Sequence, residues 1–134
     1  MKKAVIDTNI VVSGFLSPMG KPATILKLTL GNHFEICFNT AILNEYEQVL
    51  CRSKFAGKIY QPDIQRFFEI IYNIGTEITG IPSNIEMPDE SDRIFYDTAK
   101  AGNAILITGN LKHYPPNEPF IMTPTQFLIS LDEN

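Results

Sequence analysis

Apolar and polar positions along the chain fall into two alternating patterns. Short apolar runs that stop at polar residues predict buried strands at residues 3–7 (K-A-V-I-D), 34–38 (F-E-I-C-F), 104–108 (A-I-L-I-T) and 120–122 (F-I-M), with a weaker run at 76–81. Between them the spacing predicts helices. One starts at Asn9 or Ile10. A second covers residues 22–31, with Pro22 near its start and Gly31 just past its end. A third covers 41–52 behind the capping pair Asn39-Thr40. The next run from Pro62-Asp63 to Asn73, from Pro88-Asp89-Glu90 to Gly102, and from Thr123-Pro124 through Ser130. Strands alternating with helices predict a three-layer α/β/α sandwich around a parallel sheet, Rossmann-like in its layering. In such sheets the working site lies at the carboxyl ends of the strands. The polar stops Asp7-Thr8-Asn9 and Thr108-Gly109-Asn110 are expected at that edge.

Composition narrows the class. With 134 residues, 44% of them hydrophobic and 19% charged, the chain is expected to form one globular domain over 1–134. No apolar run approaches the roughly 20 residues of a membrane span. Asp7 interrupts the first apolar run, so no secretory signal is expected and a cytoplasmic location is. A net charge of −4 argues against charge-driven DNA binding. It leaves room for an enzyme that meets nucleic acid through a metal ion. Two cysteines and two histidines, without metal-type spacing, exclude a disulfide scaffold and argue against structural zinc.

The acidic residues carry the chemistry. Asp7 ends the first strand, where it suits either an N-cap or a functional carboxylate. On the helix 41–52, Ile42, Leu43, Tyr46, Val49 and Leu50 form one apolar face. Glu45 lies about 100° from its centre and Glu47 at the opposite border, and periodicity does not choose between them. Asp89, Glu90 and Asp92 crowd a helix start, where negative charge is favoured by about 0.3–1 kcal/mol each without any function. Asp92 and Asp97 sit on opposite borders of that helix, each about 110° from the centre of its apolar face. Three carboxylates on one strand edge would repel one another without a cation. An oxygen-only donor set suits Mg²⁺ or Mn²⁺.

Four segments, V-I-D-T-N-I (5–10), F-N-T-A-I-L-N-E-Y-E-Q-V-L (38–50), D-E-S-D-R-I-F-Y-D-T-A (89–99) and I-T-G-N-L-K-H-Y (107–114), together resemble the PIN-domain family in order and spacing. The branch it resembles is that of toxins from toxin–antitoxin pairs. The resemblance implies an α/β sandwich and a metal-dependent ribonuclease acting on RNA with Mg²⁺ or Mn²⁺. It assigns the acids to Asp7, Glu45 and Asp92, with Asp89 as an additional acid and Asn9 and Thr108 as supporting residues. The fourth position departs from the family pattern. Asn110 stands where some members have Asp, and His113 where others have it three residues later. Asn offers a carbonyl oxygen but no charge.

An RNA substrate calls for positive charge beside the acids. Lys112, His113, Arg52 and Lys54 are the residues expected to meet it, with Lys21 and Lys58 also available. The resemblance also implies a homodimer and an antitoxin partner. Ile64, Phe67, Phe68, Ile71 and Tyr72 share one helix and read as core or a dimer seam. A PIN-like module that binds RNA or a protein without cutting is the alternative reading. A receiver-type phospho-acceptor domain would need a further acid beside Asp7 and an acceptor Asp after a later strand. The strand 34–38 ends instead in Asn39-Thr40.

Overall fold

The computed structural model describes residues 1–133. Five parallel strands form one sheet in the order β3-β2-β1-β4-β5. They are β1 (Lys3–Ile6), β2 (Glu35–Phe38), β3 (Thr76–Glu77), β4 (Ile105–Ile107) and β5 (Ile121–Met122). β1 lies at the centre, pairing Ala4 with Ile36 on one side and with Ile105 on the other. Consecutive strand residues point to opposite faces. Ala4, Val5 and Ile6 are nonetheless all fully buried, as are Leu106 and Ile107. Both faces of the sheet are therefore covered, which is the layered arrangement expected of a parallel sheet.

The covering helices are α1 (Thr8–Leu16), α2 (Lys21–Leu30), α3 (Thr40–Leu50), α4 (Gln61–Ile74), α5 (Arg93–Gly102) and α6 (Pro124–Asp132). Their ends follow local chemistry. Asn39 caps α3 by accepting from the Ile42 amide at 3.0 Å. A capping box between Thr123 and Gln126 opens α6. Asn103, at φ 51°, closes α5 in the left-handed conformation that Asn tolerates. The aromatic core joins the layers. Tyr46 of α3 stacks on Phe95 of α5, Phe67 of α4 meets Phe15 of α1 edge-on, and Phe34 meets Phe127 of α6 at 5.0 Å between ring centroids.

Several boundaries differ from expectation. α1 begins at Thr8, because Asp7 itself is the cap. The run at 76–81 keeps only Thr76–Glu77 as strand. The helix expected from Pro88 begins at Arg93, after a single 3₁₀ turn, Glu90–Asp92. Side chains hold this stretch in its irregular path. Asp97 accepts from the amide and the hydroxyl of Ser83, and Arg93 donates to the carbonyls of Ser83 and Ile85. On α4, Ile64, Phe67 and Ile71 are core, whereas Phe68 is half-buried and Tyr72 is exposed, edge-on to Phe38.

Candidate active site

β1 delivers Asp7 to the carboxyl edge of the sheet. The carboxylate is only 2% exposed. Its Oδ1 accepts from the Asn9 amide at 3.3 Å. Its Oδ2 accepts from Thr108 Oγ1 at 2.8 Å and from Tyr114 Oη at 3.0 Å. Thr108 follows β4, and its hydroxyl oxygen also accepts from the Asn110 amide at 3.2 Å. The strand end, the cap and the β4 loop are thus tied together on one buried charge. A second tyrosine closes the floor: Tyr46 Oη donates to the Ile6 carbonyl. Burial and the nearby Asp7 push both tyrosine hydroxyls well above their ordinary value, so both act as neutral donors.

The crowded acids before α5 separate by what they touch. Asp89 caps the 3₁₀ turn, accepting from the amide and hydroxyl of Ser91 at 3.0 and 2.8 Å. Those bonds hold it below the usual carboxylate range. Glu90 pairs with Arg93 at 2.6 Å on the surface. Asp92 makes no capping bond. Among the described residues its Oδ2 is buried with no hydrogen-bond partner, and its side chain is 13% exposed. Desolvation, followed by the charges of Asp7 and Asp89, raises its pKa to about 6 against an opposing effect of His113, and Glu45 adds a smaller repulsion. His113 Nδ1 stands 3.5 Å away.

Glu45 is half-buried and within electrostatic reach of Asp92, while Glu47 is exposed. Asp97, on the other border of α5, is engaged by Ser83. The expected cluster of three carboxylates is not a closed ligand set. Among the described residues no three His, Cys, Asp or Glu side chains gather so as to hold a metal ion. Asp7 acts electrostatically on Asp92, and Glu45 does so more weakly. That arrangement fits Mg²⁺ or Mn²⁺, which are held by few carboxylates together with waters and substrate phosphates. The Asp92 oxygen, buried without a hydrogen bond among the described residues and close to other carboxylates, is the observation that asks for a cation.

The remaining expected residues take varied places. Asn9 is exposed beside Asp7. The Asn110 carbonyl oxygen is turned onto the Lys112 amide at 3.0 Å, capping the turn Leu111–His113. Lys112 is exposed and His113 half-buried at the site's edge. Arg52 and Lys54 are exposed beyond the C-terminal end of α3, with Lys54 Nζ 5.1 Å from the Phe55 ring centroid. Five residues of α3 separate Glu45 from the helix end at Leu50, roughly 7.5 Å along the axis, and Arg52 lies beyond that end. Tyr114 and Tyr46 were not singled out from the sequence as site residues. Tyr114 closes the segment 107–114 without any local sign that it reaches Asp7, and Tyr46 reads simply as part of an apolar helix face.

A sequence model of the PIN domain family matches residues 3–112. No curated protein matches the chain by sequence. Among solved structures, the chain is similar to one in the crystal structure of VapBC2 from Rickettsia felis bound to a DNA fragment from their promoter. The TM-score is 0.58 at 18% identity, over 90% of this chain and 96% of that one. At that identity the likeness speaks for the fold.

Proposed function

The chain belongs to the PIN domain family, and from that premise we propose that it is a Mg²⁺- or Mn²⁺-dependent endoribonuclease, the toxin of a toxin–antitoxin pair. The observation that carries the reading is Asp92: a buried carboxylate oxygen without a partner, beside the buried carboxylate of Asp7. Asp7 and Asp92 would hold the ion, with Glu45 reaching in from α3. When bound, such an ion neutralises charge developing on phosphorus and makes water a better nucleophile. Thr108 and Tyr114 fix the direction of the Asp7 carboxylate through two donated hydrogen bonds. Tyr46 ties α3, and Glu45 with it, to the end of β1. Lys112 and His113 would contact a flanking phosphate, and Arg52 and Lys54 would meet the RNA farther out. A cytoplasmic homodimer bound by an antitoxin protein completes the proposal. Among the described residues no helix is long and apolar enough to cross a membrane.

Cleavage of single-stranded RNA in Mg²⁺ or Mn²⁺ tests the reading. Asp7→Asn keeps the helix cap and is expected to abolish cleavage, as is Asp92→Asn. An Asp7→Asn protein that cuts as fast as the parent, with contaminating nuclease excluded, overturns it. One observation favours a second reading, a module that binds RNA or a protein without cutting. Asn110 brings no charge to the fourth position, and its carbonyl oxygen is held by its own loop. Calorimetry showing no Mn²⁺ binding at millimolar metal favours that reading; binding accompanied by cleavage excludes it.

A further inference from the structure

The loop after β4 brings a nitrogen donor to an otherwise all-oxygen site. His113 ends the turn Leu111–His113, and that turn is fastened at both ends to one carboxylate. Upstream, the Asn110 amide donates to Thr108 Oγ1, which donates to Asp7 Oδ2. Downstream, the neighbouring Tyr114 donates to the same Asp7 Oδ2. Asn110 stiffens the turn further by accepting from the Lys112 amide. Held in this way, His113 places Nδ1 3.5 Å from Asp92 Oδ2, the buried oxygen without a hydrogen bond. The imidazole approaches that oxygen without satisfying it. Two ligand atoms each about 2.1 Å from one first-row ion stand roughly 3.0–3.4 Å apart, so both can reach a common cation with a small side-chain adjustment.

We propose that His113 Nδ1 and Asp92 Oδ2 share one ion, so that this site takes a first-row transition ion in preference to Mg²⁺. The inference rests on the metal site proposed above and refines it. Mg²⁺ is a hard ion bound through oxygen, whereas imidazole nitrogen favours the transition series. The donor atom requires the tautomer with the proton on Nε2.

Mn²⁺ is the probe, because electron paramagnetic resonance counts its free form and pulsed measurements detect a coordinated nitrogen. No RNA is needed. The parent is expected to bind Mn²⁺ with a nitrogen coupling and to release it only to a large excess of Mg²⁺. His113→Ala is expected to lose the coupling and to bind Mn²⁺ about tenfold more weakly, with Mg²⁺ affinity little changed. His113→Asp, an all-oxygen site, is expected to lower the Mn²⁺ preference while keeping both ions. No nitrogen coupling in the parent, or unchanged Mn²⁺ affinity in His113→Ala, overturns the inference. Asp92→Asn separates the two levels. If Mn²⁺ binding is lost there but unaffected in His113→Ala, the metal site stands and the histidine ligand falls. If the parent binds no Mn²⁺ at all, both fall.

Discussion

Replacing Asp92 by Asn should stabilise the metal-free protein, although it removes a residue proposed for the active site. The Asp92 carboxyl is raised from 3.8 to about 6, first by burial and then by Asp7. The fold therefore prefers the protonated form. Well below pH 4 the carboxyl is protonated in both folded and unfolded chains and contributes no penalty. As pH rises from about 4 to 6 the unfolded chain releases a proton that the folded one retains, so stability falls; above pH 6 the penalty is complete. A rise of about two pK units corresponds to about 3 kcal/mol as a ceiling. The asparagine Nδ2 would be buried at a point where Oδ2 has no partner, which offsets about 1 kcal/mol or more. A net gain of about 1–2 kcal/mol at pH 8 is expected, falling through zero between pH 6 and 4 and becoming a loss of about 1 kcal/mol by pH 3.5, where only the unpaired amide still counts. Urea unfolding of both proteins in EDTA at several pH values measures it. Adding Mn²⁺ should reverse the order at pH 8, since only the parent gains stability by binding the ion. A variant less stable than the parent at pH 8 in EDTA, or a gap independent of pH, would refute the reasoning.

Other expected outcomes follow from the same contacts. Tyr114→Phe removes one of the two side-chain donors on the buried Asp7 oxygen and should cost about 1–3 kcal/mol in urea unfolding; an unchanged midpoint would show that the bond is not formed in solution. Glu45→Gln should slow RNA cleavage while Glu47→Gln leaves it unchanged, because only Glu45 lies within reach of Asp92; equal effects in a cleavage assay would contradict that placement. Asn39→Ala loses the α3 cap and the donated bonds to the Ile78 carbonyl and Thr98 Oγ1. It should lower stability by about 2 kcal/mol, and thermal unfolding would reveal a smaller role.

What was legible in the sequence was whatever local pattern determines. Apolar runs ending in polar triplets marked β1 and β4 because both sheet faces are buried, and Asn39 and Thr123 marked helix starts because caps act within three residues. The PIN resemblance chose Glu45 over Glu47, a choice periodicity could not make, since two borders of one helix differ only in what faces them. The hydrogen bond from Tyr114 to Asp7 spans 107 positions, and no local pattern reports a partner that far away. The division of labour among Asp89, Glu90 and Asp92 was hidden for a related reason. All three suit a helix start, and only the path of the chain leaves Asp92 without a partner while Ser91 and Arg93 engage the other two. Pro88-Asp89-Glu90 has the composition of a helix opening, yet α5 starts only at Arg93, because Arg93 and Asp97 hold the preceding segment in an irregular path through side-chain bonds.

The most direct measurement is a crystal of the protein soaked in Mn²⁺ and read by anomalous scattering. A peak between the carboxylates of Asp7 and Asp92 is the expected result. Full occupancy of manganese elsewhere with none at that position, or none bound at all, would contradict the metal-dependent reading of this site.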